Sequence, residues 1–214
     1  MTPGMTPGAP SEAAAPRRRG RPSRTQTENG PATRDEILRA AREEFSLRGY
    51  EKTSVRGIAK AAGVDPALVH HYFGTKEQVF EAAITIAFAP ALQAPAAIDE
   101  GPLDGVGERL TRFVLGVWEN PATRAPLLAI VRSAVDNETA AAIFRRLITT
   151  QLLGHIAGRL QVPDAELRSE LAAAQLVGVA MLRYVIQVEP LASADVEQLV
   201  ARLAPVVQGH LTGP

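Results

Sequence analysis

Apolar positions along this chain recur at spacings of three and four, and no stretch alternates at two, so the pattern predicts an all-α fold. The first stripe is Ile37, Leu38, Ala41, Phe45 and Leu47. It follows Thr33-Arg34-Asp35-Glu36, which fits a capping box, and Gly49-Tyr50 ends the helix. A second stripe, Val55, Ile58, Ala59 and Ala62, follows Thr53-Ser54, either of which can cap it. Gly63 supplies the left-handed residue that stops this helix, and Asp65-Pro66 is a cap with proline at the first helical position. A third helix therefore starts within two residues of the second one's end. Ala59, four before Gly63, keeps bulk out of the crossing, and Val69, six after it, fills the space between the helices. This is helix-turn-helix spacing, a DNA-reading device. From Lys76 the stripe Val79, Phe80, Ala83, Ile84 and Ala87 makes a fourth helix that runs to Pro90 and links this unit to the rest.

Pro90 to Gly107 reads as loop, with Pro95, Gly101, Pro102 and Gly105 inside it. Further helices are expected near 106–119, 121–136, 138–161, 165–188 and 194–211, their starts marked by Asn120-Pro121, Asn137 with Thr139, Pro163-Asp164 and Ser193. The last two are broadly apolar, through Leu171, Ala174, Gly178, Met181 and Leu182 on one and Val196, Leu199, Val200, Leu203 and Val207 on the other. Such helices need partners on more than one side. A four-helix bundle between two copies of the chain is the economical solution, with Ala174, Gly178 and Ala204 letting the helices approach closely.

Composition adds boundaries. The 214 residues, 46% hydrophobic, can bury one large core or a small domain beside a larger one. With no cysteine there is neither a disulfide framework nor a thiolate metal site. Nothing resembles a secretory signal or an uninterrupted apolar span of about 20 residues, so the expectation is a soluble cytoplasmic protein. The charge is formally zero yet divided: residues 1–80 hold 13 Lys+Arg against 9 Asp+Glu, and residues 81–214 hold 10 against 14. The end that carries the helix-turn-helix is the end that attracts phosphate.

Residues 1–32 have almost no large apolar side chains and are expected to be disordered. Within them Arg17, Arg18, Arg19, Arg21 and Arg24 surround Gly20 and Pro22, and the Arg-Gly-Arg-Pro core resembles an AT-hook. Three readings stand: arginines lying in a narrow A·T minor groove, a basic tail that raises affinity by counterion release, or a segment with no role on DNA. Adjacent His70 and His71 point about 100° apart on a helix, with no carboxylate or thiol at a ligand spacing, so no metal is expected. There is no nucleophile elbow, no phosphate-cradling glycine loop and no paired histidine-carboxylate spacing, so neither an enzyme nor a cofactor is expected.

The run from Ala67 to Phe80, Ala-Leu-Val-His-His-Tyr-Phe-Gly-Thr-Lys-Glu-Gln-Val-Phe, resembles the signature of the tetracycline-repressor (TetR) family, over a region from about Thr33 to Phe80. The resemblance implies a three-helix DNA-binding domain over 33–80 and a helical effector-binding and dimerisation domain over 81–214. It implies that the third helix enters the major groove with Ala67, Leu68, His70, His71 and Tyr72, that Lys76 meets a backbone phosphate, and that Ser54 and Arg56 touch DNA from the second helix. His70 departs from the tyrosine common there, and Leu68 from a small or hydroxyl residue. The resemblance further implies a homodimer on a palindromic operator and a small-molecule cavity. Phe88, Phe113, Trp118, Arg132, Phe144, Gln151, His155 and Arg183 are the candidate lining, pointing to a hydrophobic effector. The expected function is that of a repressor released by such an effector; an effector-independent architectural DNA-binding dimer is the alternative.

Overall fold

A computed structural model describes residues 30–213, and every regular element among them is helical. The arginine segment from Arg17 to Arg24 lies outside the described residues, as do all three readings of it.

Helix α1 spans Pro31–Lys52. It starts two residues before the expected capping box: Pro31 occupies the first helical position behind Gly30, so Thr33 lies inside the helix and caps nothing. Ile37, Leu38, Ala41 and Phe45 are buried, but Leu47 is 81% exposed. At 100° per residue Leu47 falls opposite the Ile37–Phe45 stripe, which corrects its place in that stripe. Gly49, at φ 73°, breaks the helix as the sequence indicates. The Thr53 hydroxyl closes the break by donating to the Gly49 carbonyl at 2.8 Å.

Helices α2 (Val55–Ala62), α3 (Pro66–Phe73) and α4 (Lys76–Phe88) complete the head. Gly63, at φ 68°, makes the turn between α2 and α3. Ile58, Ala59, Val69, Val79 and Phe80 are each at most 1% exposed and form the floor on which α3 rests. Phe80 meets both Phe45 and Tyr50 edge-on at 4.9 Å between ring centroids, which fixes α4 against the end of α1.

The segment after Pro90 is more regular than its proline and glycine content predicts. It folds into short turns around a one-turn helix, α5 (Ala96–Asp99). Arg109 organises it by donating to the carbonyls of Ala97 at 2.7 Å, Gly101 at 3.2 Å and Pro102 at 2.9 Å. Helices α6 (Val106–Glu119) and α7 (Pro121–Asp136) follow. Next come α8, residues 138–157 with a π-helical stretch at Ile148–Leu153, α9 (Ala165–Ile186) and α10 (Val196–Thr212). Asn120 and Asn137 cap α7 and α8 through Ala122 and Ala140. Asp164 caps nothing, because its left-handed backbone, φ 55°, turns the chain into α9; the cap of α10 is Asp195 in place of Ser193.

Helices α6 and α10 pack most closely. A Cβ on Gly107 would sit 2.5 Å from the Ala204 carbonyl and 2.6 Å from the Gln208 amide, so only glycine allows this crossing. Gln208 ties it, accepting from the Gly107 amide and donating to the Leu103 carbonyl, both at 2.8 Å. Ala204 therefore allows close approach within one chain.

Ala165–Ile186 is long and apolar enough to cross a membrane by length and composition, with mean hydropathy 1.3. Glu166, Arg168, Glu170 and Arg183 interrupt it, which is why the sequence shows no continuous apolar run.

Candidate nucleic-acid interface and effector cavity

The recognition surface is built by three caps. Ser54 Oγ accepts from the Gly57 amide at 3.0 Å and starts α2; Asp65 accepts from Ala67 at 2.8 Å and starts α3. Thr75 and Gln78 form a reciprocal capping box that starts α4. Ser54 and Arg56 are exposed at the start of α2, and Ala67, His70 and His71 are exposed along α3. Leu68 and Tyr72 are half-buried: Leu68 packs on the head core, and the Tyr72 hydroxyl donates to the Gly30 carbonyl at 3.4 Å. His70 Nδ1 lies 2.7 Å from the Gly74 carbonyl. A carbonyl can only accept, so Nδ1 carries a proton, which leaves Nε2 facing outward as the second polar atom of the ring.

Lys76 lies at the junction of head and body. Its Nζ donates to the Glu51 carbonyl at 3.2 Å and stands 4.3 Å from the centre of the Tyr50 ring. The Tyr50 hydroxyl donates to Glu77 at 3.1 Å, and burial, reinforced by Glu77, pushes this phenol up to about 12. The Glu51 side chain in turn accepts from Asn137 Nδ2 at 2.7 Å. Asn137 thus caps α8 with one side-chain atom and holds the end of α1 with the other. An Arg146–Glu81 ion pair at 2.6 Å joins α8 to α4 nearby. No feature of the sequence pairs Asn137 with Glu51, 86 residues apart; only its role as a cap is readable locally.

Inside the larger half lies an apolar cavity of about 180 Å³. Phe88, at the end of α4, lines it together with Phe113, Trp118 and Phe144, four of the eight expected residues. The others lie elsewhere, which corrects them. Arg132 is exposed on the outer side of α7, while Gln151 and His155 sit on the surface of α8, with His155 Nδ1 donating to the Gln151 carbonyl at 2.8 Å. Arg183 is buried but occupied: it donates to the Leu191 carbonyl at 2.6 Å, the Ala194 carbonyl at 2.8 Å and Glu119 at 3.0 Å. Glu119, held below the usual carboxylate range first by the Tyr184 hydroxyl and then by Arg183, completes this structural knot. The sequence reading missed the aliphatic walls, Leu110, Val114, Leu152, Ile156 and Leu176, and the hydroxyl of Ser169. Their signal was the three-and-four spacing of Leu110, Val114 and Val117, which alone does not separate cavity from core.

On α9, Leu171, Ala174, Gly178 and Leu182 are exposed, together with Leu167, Val177 and Ile186, while Met181 is half-buried. A Cβ on Gly178 would touch nothing. Leu199, Val200, Leu203 and Val207 are at most 9% exposed and pack inside the protomer, so their expected place at an interface between chains is corrected. They fill the side of α10 that α6 covers; Val196 is half-buried among them, and Val206 is the large apolar residue α10 leaves exposed.

Residues 37–83 match the family described as "Bacterial regulatory proteins, tetR family", and residues 104–211 match "Tetracyclin repressor-like, C-terminal domain". The HTH-type transcriptional regulator BetI of Rhizobium meliloti (strain 1021) is 31% identical over 193 residues, spanning 85% of this chain and 90% of that one. A TetR-family regulator of Streptomyces coelicolor A3 superposes with TM-score 0.65 at 39% identity, over 87% of this chain and 98% of that one. The fold is also shared, at 18% identity and TM-score 0.61 over 86% and 97%, with a protein solved as the SmeT–triclosan complex. With a family match at each end and a relative aligned along most of its length, this chain belongs to the TetR family of helix-turn-helix transcriptional regulators.

Proposed function

We propose that this chain is a cytoplasmic, homodimeric repressor that leaves a palindromic operator when a small apolar effector enters the cavity bounded by Phe88, Phe113, Trp118 and Phe144. The observation that carries the reading is that Phe88, a cavity wall, is the last residue of α4, while Lys76 is its first. Whatever fills the cavity pushes on the helix whose far end meets DNA. A volume of about 180 Å³ equals about six waters at liquid density, so the effector is a compound of one or two rings.

In the bound state α3 lies in the major groove. Ala67, Leu68 and His71 pack along it, and His70 Nε2 meets a base edge. Ser54, Arg56, Tyr72 and Lys76 meet phosphates and set the docking without reading sequence. The exposed apolar face of α9, from Leu167 to Ile186, is the surface on which two copies join. Effector release requires a differential affinity: a 100-fold loss of operator binding corresponds to about 2.7 kcal/mol between the two head arrangements. The Asn137–Glu51 hydrogen bond and the Arg146–Glu81 ion pair transmit that difference, because both bridge α8 to the head.

The test is a thermal-shift screen of the full chain against one- and two-ring apolar compounds, repeated on Ala173→Leu, which narrows the cavity. Compounds that raise Tm in the parent and not in the variant support the reading. Equal responses in both would remove the cavity from the account.

A further inference from the structure

A second opening lies outside the effector cavity, where α1 crosses α4 and α7. It measures about 250 Å³. Its floor is apolar, formed by Phe45, Phe80, Ile84 and Ile130. It exists because the helices meet there through small residues, Ala83, Ala87, Ala129 and Ser133, and because Pro126 within α7 removes a backbone donor and disturbs the helix locally.

Two polar features of this cleft have no structural use. Arg39, on the rim, is held between Glu36 and Glu43, but Arg42, on the same rim, enters no ion pair among the described residues. Ser133 is 4% exposed, and its hydroxyl has no hydrogen-bond partner among the described residues. Ser169 and Thr85, by contrast, donate to the carbonyl one turn back at 2.7 and 2.8 Å. Arg42 is exposed and the Ser133 hydroxyl is bonded to no other group among the described residues, so both are free to meet a ligand in the cleft.

We propose that this cleft binds a small aromatic carboxylate. The ring lies on Phe45, Phe80 and Ile130, the carboxylate pairs with Arg42, and the Ser133 hydroxyl donates to it. About 250 Å³ equals about eight waters at liquid density, which suits a single ring with a short acid side chain. Such a ligand touches the head through α1 and the body through α7. It therefore holds the present head position, acting at a place distinct from the enclosed cavity. The inference does not rest on effector release, since binding is read without DNA.

Phenylacetate and its neutral amide serve as probes in calorimetric titration of the full chain, with Arg42→Gln, Ala129→Leu and Ala173→Leu as variants. Phenylacetate is expected to bind, with its amide at least tenfold weaker. R42Q, at an exposed position, should lose about tenfold, and A129L, which fills the cleft, should lose binding, while A173L should bind as the parent does. No binding of phenylacetate to the parent overturns the proposal. So does equal binding by acid and amide, unchanged affinity in R42Q, or loss of binding in A173L alone.

Discussion

The head and the body of this protein are held together by different kinds of order. In the head, the caps and His70 are fixed by neighbours close in sequence, Ser54 by Gly57, Asp65 by Ala67, His70 by Gly74 and Thr75 by Gln78, and only Lys76 and Tyr72 of the proposed DNA contacts reach further, to Glu51 and Gly30. In the body, the decisive contacts join residues about a hundred positions apart, as with Gly107 against Ala204 and Gln208. A reading surface built from local rules can change its exposed residues freely. A cavity built from distant packing changes with every helix that borders it.

Disturbing each side of this contrast should have unequal effects. The largest is expected at the α6–α10 crossing. Gly107→Val forces a side chain into backbone and should destabilise the chain by about 3 kcal/mol, whereas Gly178→Ala, on an open face, should leave denaturant midpoints unchanged. An equally mild G107V would mean the crossing has slack. Next come DNA contacts, read as changes in operator affinity: Lys76→Ala should weaken all sequences alike by about tenfold, while His70→Ala should alter which operator is preferred. Sequence-blind losses from both would remove the division of roles. Asn137→Ala deletes the α8 cap and the strap to Glu51, and should cost about 1 kcal/mol of stability and reduce effector response; urea melts and operator titrations check the two halves separately.

The smallest effect is on pH dependence. Glu119 titrates below its usual value of 4.5 in the fold, so its contribution is present above the unfolded value and fades as pH falls through the folded one. Glu119→Gln should flatten the acid limb of the stability profile. Tyr50 shows the opposite sign: its contribution is present below about 10 and is lost as pH rises through about 12. Tyr50→Phe should therefore flatten the alkaline limb.

The same contrast explains what could be read without coordinates. The turn at Gly63, the cap at Asp65 and the break at Gly49 depend on one or two residues, and the chain folds there as its sequence indicates. The start of α1 differs from the expectation because Pro31 at the first helical position overrides a capping box two residues later. In the body, Phe88, Phe113, Trp118 and Phe144 marked the cavity by their apolar bulk, whereas Arg132, Gln151, His155 and Arg183 drew attention by their polarity alone. Arg132 and Gln151 are exposed, His155 bonds a carbonyl of its own helix, and Arg183 bonds two carbonyls and Glu119, a choice set by tertiary neighbours. The apolar residues of α10 pointed toward a second chain for a related reason. Their pattern marks burial but does not distinguish a helix of the same chain from one of its partner.

The central claim is that a cavity ending at Phe88 governs a reading head that begins at Lys76. The most direct measurement is selection of genome fragments by the purified full-length chain, followed by titration of the recovered site with apolar one- and two-ring compounds, in the parent and in Ala173→Leu. The account predicts one short near-palindrome, released about 100-fold by at least one compound in the parent and held by A173L at the same compound concentration. Recovery of diffuse A·T-rich DNA, or of a palindrome that no such compound releases, would contradict it.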